Sequence, residues 1–150
     1  KYYVDSLGVN QGAAEAWITV GASQWTNNRD LVATFSNYGK RAVDVFAPGV
    51  KIYSTMPGST YEDAQGTSMA APVVAGLATL IRSYYPALSA VQVKDIILNS
   101  VTLVKSKVRV QGADGRKKRV KLSDISVTGG VVNAYNALLL AEEIAKEVEQ

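Results

Sequence analysis

Gln65-Gly66-Thr67-Ser68-Met69-Ala70-Ala71-Pro72-Val73-Val74-Ala75-Gly76-Leu77-Ala78-Thr79-Leu80-Ile81-Arg82-Ser83-Tyr84 is the stretch on which the fold turns. Met69, Val73, Leu77, Leu80, Ile81 and Tyr84 recur at helical spacing, and Ala70, Ala71, Ala75, Gly76 and Ala78 fill much of the remaining surface. A helix that is apolar or small nearly all round belongs inside a protein. The stretch predicts a central buried helix opening at Ser68. Pro72, about one turn in, removes the donor that would meet the Ser68 carbonyl, so a bent or loosened first turn is expected there.

Upstream of this helix the pattern is short and strand-like. Trp17-Ile18-Thr19-Val20-Gly21-Ala22 and Ala42-Val43-Asp44-Val45-Phe46-Ala47 read as buried strands, the second stopped by Pro48-Gly49. Val50-Lys51-Ile52-Tyr53-Ser54-Thr55 alternates and stops at Pro57-Gly58, giving a third. Together they predict a mostly parallel sheet, with some antiparallel pairing because residues 17–55 contain no long crossover helix. Downstream, Ser89 and Gln92 form a capping box before Val93, Ile96 and Ile97. Asn133 caps a last helix whose inner stripe is Ala134, Ala137, Leu138, Ala141, Ile144, Ala145 and Val148, with Glu142, Glu143, Lys146, Glu147 and Glu149 facing water. The class is α/β.

Composition closes off several functions. The 150 residues carry 16 basic and 13 acidic side chains, and the charged fraction of 19% sits below the average for a domain. No apolar run approaches the length of a bilayer span, so no membrane is expected as a partner. The absence of cysteine excludes disulfides, thiol catalysis and cysteine-ligated zinc. The absence of histidine means that the chain brings no imidazole as base or metal ligand. The first residues, Lys1-Tyr2-Tyr3-Val4-Asp5, lack the apolar core of a signal peptide.

Positive charge concentrates in one place. Lys105, Lys107, Arg109, Arg116, Lys117, Lys118, Arg119 and Lys121 share their segment with a single acid, Asp114. Gly112-Ala113-Asp114-Gly115 supplies a turn between two β-prone arms, so a basic hairpin is expected at about 103–125. No aromatic lies between Val101 and Thr128 to stack on bases. A solvated hairpin whose charges guard its edges is the favoured reading, and no nucleic acid is expected as a partner.

The candidate chemistry lies in Gly66, Thr67 and Ser68. A serine hydroxyl is a weak nucleophile and must be exposed, fixed and close to positive potential. The first turn of a helix supplies free N–H groups and the positive end of the dipole. The Ser68 N–H can point at the oxygen of an attacked carbonyl, as half of an oxyanion hole, and Gly66 lets substrate backbone approach. The plainer reading is that Thr67 or Ser68 only caps a core helix.

The longer string decides between them. Gly66-Thr67-Ser68-Met69-Ala70-Ala71-Pro72, followed by Val74-Ala75-Gly76, resembles the serine-nucleophile motif of the subtilisin-like serine proteases, the subtilases. Ile18-Thr19-Val20-Gly21-Ala22, Ala33-Thr34-Phe35-Ser36-Asn37-Tyr38-Gly39 and Val43-Asp44-Val45-Phe46-Ala47-Pro48-Gly49 are similar to the strands and loops that precede it in the family. Gly129-Gly130-Val131-Val132-Asn133-Ala134 resembles the motif that starts the family's final helix. After Pro72 the family very often has a histidine outside the triad, where this chain has Val73.

The resemblance implies a serine-type endopeptidase acting on polypeptides through an acyl-enzyme on Ser68, with Gly66 and Thr67 shaping the oxyanion and substrate site. The family's catalytic Asp and His, and its oxyanion Asn, lie in motifs that this sequence does not contain. Residues 1–150 are therefore expected to be the C-terminal portion of one incomplete catalytic domain, a mostly parallel sheet with its buried helix, a hairpin insertion and a C-terminal helix. The chain alone is expected to be inactive, with the N-terminal part of the same domain as its partner. No cofactor is expected for catalysis and no metal at the site; structural calcium is compatible with the family, but no ligands for it are identified. Export, secreted or periplasmic, is the location the family implies. The competing readings are a pseudoprotease that kept the serine motif and a basic interaction module.

Overall fold

The sheet at the centre of the molecule has apolar cover on both faces. The structure, a computed structural model, describes residues 2–4, 10–13, 15–112 and 114–148. In chain order the strands are β1 (Tyr2–Val4), β2 (Asn10–Ala13), β3 (Val20–Ser23), β4 (Val45–Pro48), β5 (Ile52–Met56), β6 (Thr60–Ala64), β7 (Thr102–Leu103), β8 (Val108–Gln111), β9 (Lys117–Val120) and β10 (Gly130–Val131). The helices are α1 (Thr67–Tyr84), α2 (Ala90–Asn99) and α3 (Ala134–Val148). The central sheet runs β3-β4-β10-β7, and the other strands form three separate hairpins, β1–β2, β5–β6 and β8–β9.

Within the sheet β3 pairs parallel with β4, and β4 with β10, while β10 pairs antiparallel with β7. The irregular crossover at 24–44 contributes one antiparallel contact to this region, the bridge from Ser23 to Val32. Alternation along β4 sends Val45 and Ala47 to one face and Phe46 to the other. The first face meets α1, α2 and α3 through Ala70, Val74, Leu77, Ile81, Val93, Ile96, Ile97, Ala137 and Ala141. The second meets Leu31, Val32, Val43, Val108, Val110, Leu122 and Ile125. Burial on both faces is why these strands read as unbroken apolar runs. Gly21 lies opposite Phe46, and a Cβ there would sit 2.5 Å from the ring.

The third expected strand needs correction. Residues 52–56 do form β5, but it pairs antiparallel with β6 outside the central sheet. The physical reason is the short Pro57-Gly58-Ser59 connection, with positive φ at Gly58 and Ser59. Such a link can only return the chain alongside itself, since a parallel neighbour needs a much longer crossover. The first two strands also begin later than their apolar runs, at Val20 and Val45. Thr19, ahead of β3, is held instead by its N–H donating to Asp44 Oδ2 at 2.6 Å.

The helix α1 packs across β3 and β4. Its buried line is Ala70, Val74, Leu77 and Ile81, whereas Val73, Leu80 and Tyr84 of the apolar set are 38%, 39% and 69% exposed. Small Ala70 faces the sheet, and Val73, Leu80 and Tyr84 on the opposite side are left uncovered among the described residues. The α-helix continues through Pro72. The capping box of α2 is present in both directions, Gln92 N donating to Ser89 Oγ and Ser89 N to Gln92 Oε1. Asn133 caps α3 through Asn136 N at 3.0 Å. Ala113, Glu149 and the side chain of Val148 lie outside the described residues.

Candidate active site

Three segments converge on the start of α1. The antiparallel hairpin β5–β6 delivers the chain to Gln65, and β4 ends at Pro48 beside it. Gly66 N–H donates to the Gly49 carbonyl at 2.8 Å, and Gly49 N–H donates to the Ser23 carbonyl at 2.9 Å. The ends of β3, β4 and α1 are thus sewn together through backbone alone. A Cβ on Gly49 would lie 2.7 Å from the Gly66 carbonyl oxygen, 2.8 Å from Ala22 Cβ and 3.2 Å from Ala70 Cβ. Only glycine fits at 49.

Gly66 is the residue that turns the chain into the helix, at φ +152°, a conformation that side-chain-bearing residues rarely adopt. Its carbonyl accepts from Met69 N at 3.1 Å and Ala70 N at 3.3 Å. Gly66 is itself the N-cap and offers no side-chain acceptor, so neither Thr67 nor Ser68 caps the helix. They are its first and second residues, and among the described residues their backbone N–H groups meet no acceptor. The Ser68 side chain is exposed and its hydroxyl has no hydrogen-bond partner among the described residues. A solvent-facing Oγ beside two unpaired N–H groups at the positive end of an eighteen-residue helix can bind and polarise a carbonyl oxygen.

The structure brings Gly66, Thr67 and Ser68 together as consecutive residues, but adds no side-chain base. No carboxylate, lysine or arginine reaches the Ser68 hydroxyl among the described residues, and the chain has no histidine. No group of three or more His, Cys, Asp or Glu side chains among the described residues is arranged to hold a metal ion. No helix among them is long and apolar enough to cross a membrane.

Two positioning residues were not legible as such. Ser36 is buried, and its Oγ accepts from Ala22 N at 2.9 Å while donating to the Asn37 carbonyl at 3.0 Å, which fixes the 33–37 turn against β3. Gly49 read only as the residue that stops a strand. The signal available for it was Pro48-Gly49 directly after a buried run, a common mark of close backbone approach.

The fold and this site define a class: an α/β domain with a bare serine in the first turn of its central helix. Comparison with known proteins agrees. The profile of the Subtilase family matches residues 6–127, and the chain belongs to that family. It is 47% identical over 85 residues to M-protease of Shouchella clausii, covering 57% of this chain and 21% of that one. Against subtilisin DY of Bacillus licheniformis the identity is 49% over 85 residues, or 57% of this chain and 30% of the relative. The chain therefore spans less than a third of the length of these curated relatives. Among solved structures, a chain of the subtilase cytotoxin SubAB assembly matches with a TM-score of 0.66 at 24% identity, over 85% of this chain and 37% of that one. The patellamide maturation protease PatA matches with a TM-score of 0.63 at 24% identity, over 85% and 44%. At that identity the likeness establishes the subtilase fold, a mixed α/β architecture with a parallel-rich sheet.

Proposed function

We propose that the chain supplies the nucleophile half of a serine endopeptidase, with Ser68 as the attacking residue and Gly66 and Thr67 shaping the oxyanion and substrate site. The observation that carries this reading is the uncapped first turn of α1, where Ser68 is exposed and the Thr67 and Ser68 N–H groups are free. In the reaction a base takes the Oγ proton as Oγ bonds to the carbonyl carbon of a peptide. The carbonyl oxygen gains the electron pair and settles against the Ser68 N–H. Collapse of that intermediate breaks the C–N bond, the base returns the proton to the leaving amine, and water later releases the acyl group by the same route. The substrate is a polypeptide, and no cofactor takes part.

The base, its orienting carboxylate and a side-chain oxyanion donor come from the rest of the catalytic domain, as the family pattern implies. Support comes from the uncovered apolar face beside the site, where Val73, Leu80, Tyr84, Tyr135 and Leu139 are each 38% exposed or more. A contiguous apolar surface of this kind marks an interaction site. We assign it to the preceding part of the same domain, which would cover α1 and α3 while placing the base beside Ser68. Residues 1–150 alone are proteolytically inert on this reading, and the whole protein is exported.

The test is labelling by a fluorophosphonate probe at neutral pH, read as adduct mass on Ser68. No adduct is expected on the chain alone, and rapid labelling once the preceding part of the domain is supplied. Fast stoichiometric labelling of the chain by itself would show that a group within it activates the serine. Persistent inertness of the assembled domain would favour a pseudoprotease.

A further inference from the structure

The basic hairpin is not simply a solvated loop. Its inner face carries Val108 and Val110, which are buried against Phe46, Leu122 and Ile125. Alternation then sends Arg109 and Gln111 outward on β8, and the register places Arg119 opposite Arg109 and Lys117 opposite Gln111. Lys107 and Lys121, both exposed, continue the two arms one residue beyond the ladder. The outward face therefore carries Lys117, Arg119 and Lys121 along one arm and Lys107 and Arg109, with neutral Gln111, along the other, spaced about 6.8 Å along each strand and about 5 Å across the pair. Lys118 points the other way, with Nζ 5.9 Å from the Tyr38 ring.

Like charges directly opposite one another weaken a ladder. Asp30 pairs with Arg109, and Asp124 Oδ2 accepts from the Lys121 N–H; among the described residues no acid pairs with the side chains of Lys107, Lys117, Arg119 or Lys121. Charges needed only to guard an edge would not have to face each other across it. The row also borders a cavity of about 300 Å³ lined by Asp30, Thr34, Arg109, Gln111 and Lys117. The buried Nε of Arg109, which lines it, makes no hydrogen bond among the described residues.

We propose that this face and edge dock an acidic, extended segment of polypeptide with carboxylates at alternate positions. The strand edges distinguish that occupant from other polyanions. Arg109 N donates to the Arg29 carbonyl, so β8 is engaged on its outer side, whereas β9 has no neighbour but β8 among the described residues. A polypeptide can pair its main chain with the free β9 edge while its alternate carboxylates meet Lys117, Arg119 and Lys121. A nucleic acid or polysaccharide offers no such main-chain match, and the outward face has no aromatic on which bases could stack. The same cations repel basic strands and gain no ion pair from neutral ones, which makes the edge selective rather than sticky. The proposal does not depend on the role of Ser68.

The test uses the chain and a fluorescent eight-residue peptide of alternating Glu and Thr, followed by anisotropy. Saturable binding that weakens steadily with added salt is expected. Lys117→Glu with Arg119→Glu should reduce affinity at least tenfold, and the neutral pair Lys117→Gln with Arg119→Gln several-fold, in case charge reversal disturbs folding. Arg82→Glu, on α1, should leave binding unchanged. The same peptide with every backbone nitrogen methylated keeps the charge but loses the N–H groups that would face β9, and should bind more weakly. Equal affinity for both peptides, or no loss in either double variant, would overturn the assignment. Tighter binding of a single-stranded oligonucleotide or a sulfated oligosaccharide of equal charge would reassign the face to another polyanion.

Discussion

Gly49 and Gly66 meet backbone to backbone: the Gly66 N–H donates to the Gly49 carbonyl at 2.8 Å, and any Cβ on Gly49 would lie 2.7 Å from the Gly66 carbonyl oxygen. This contact fixes the height of α1 above β4, and with it the position of Ser68 two residues later. Gly49→Ala is expected to force the two segments apart and to destabilise the fold by about 1–3 kcal/mol, the usual cost of overpacking a tight site. A urea titration with an unchanged slope and a lower midpoint is the expected result. An unshifted midpoint would mean that the contact relaxes freely.

Ser68 behaves differently. It is exposed, and its hydroxyl has no partner among the described residues, so Ser68→Ala should change stability by less than about 0.5 kcal/mol. In the complete enzyme the same change should drop turnover to the residual level left by binding and oxyanion stabilisation, several orders of magnitude below wild type. Matched thermal melts together with peptide hydrolysis separate the two effects. Activity near wild type in the variant would exclude Ser68 as the nucleophile.

Leu122 holds the far side of the sheet. It is fully buried among Phe46, Val108, Val110 and Ile125, at the point where the basic hairpin returns to the body of the fold. Leu122→Ala should cost about 2–5 kcal/mol through lost burial and the cavity left behind. Amide exchange should show faster exchange at Val108–Gln111 in this variant, because the hairpin's inner face loses its main support.

On the exposed side of α3, Lys146 Nζ lies 2.7 Å from Glu142 Oε1, one helical turn away. The hydrogen bond from Lys146, then its charge, lower the pKa of Glu142, and the same contacts raise that of Lys146. Stability from the depressed carboxylate is present above the ordinary glutamate pKa and lost as pH falls through the lowered one. That from the raised ammonium is present below the ordinary lysine pKa and lost as pH rises through the raised value. Both groups are exposed to solvent, so the effect on stability is small. Lys146→Met should bring the Glu142 titration, followed by carbon NMR, back up toward an ordinary glutamate; an unmoved titration would mean that the pair does not form in solution.

Local signals in the chain were sufficient for much of this molecule. The period of Leu77 and Ile81 marks α1, Ser89 with Gln92 marks the start of α2, Asn133 marks α3, and Asp114-Gly115 marks the turn between β8 and β9. Each of these rests on residues a few positions apart, whose side chains meet their own backbone wherever the segment is placed. Gly66-Thr67-Ser68 was legible for the same reason, as the first turn of a helix is a local structure. What only the tertiary structure decided involves partners far apart in sequence. It paired β5 with β6 instead of the central sheet, chose the face of α1 that meets Ala22 and Val45, and set Gly49 against Gly66. It also joined Arg109 to Asp30 and left the cations of β9 facing outward along an open edge. Contacts of this kind depend on how separate segments stack, and stacking leaves no period within any one segment.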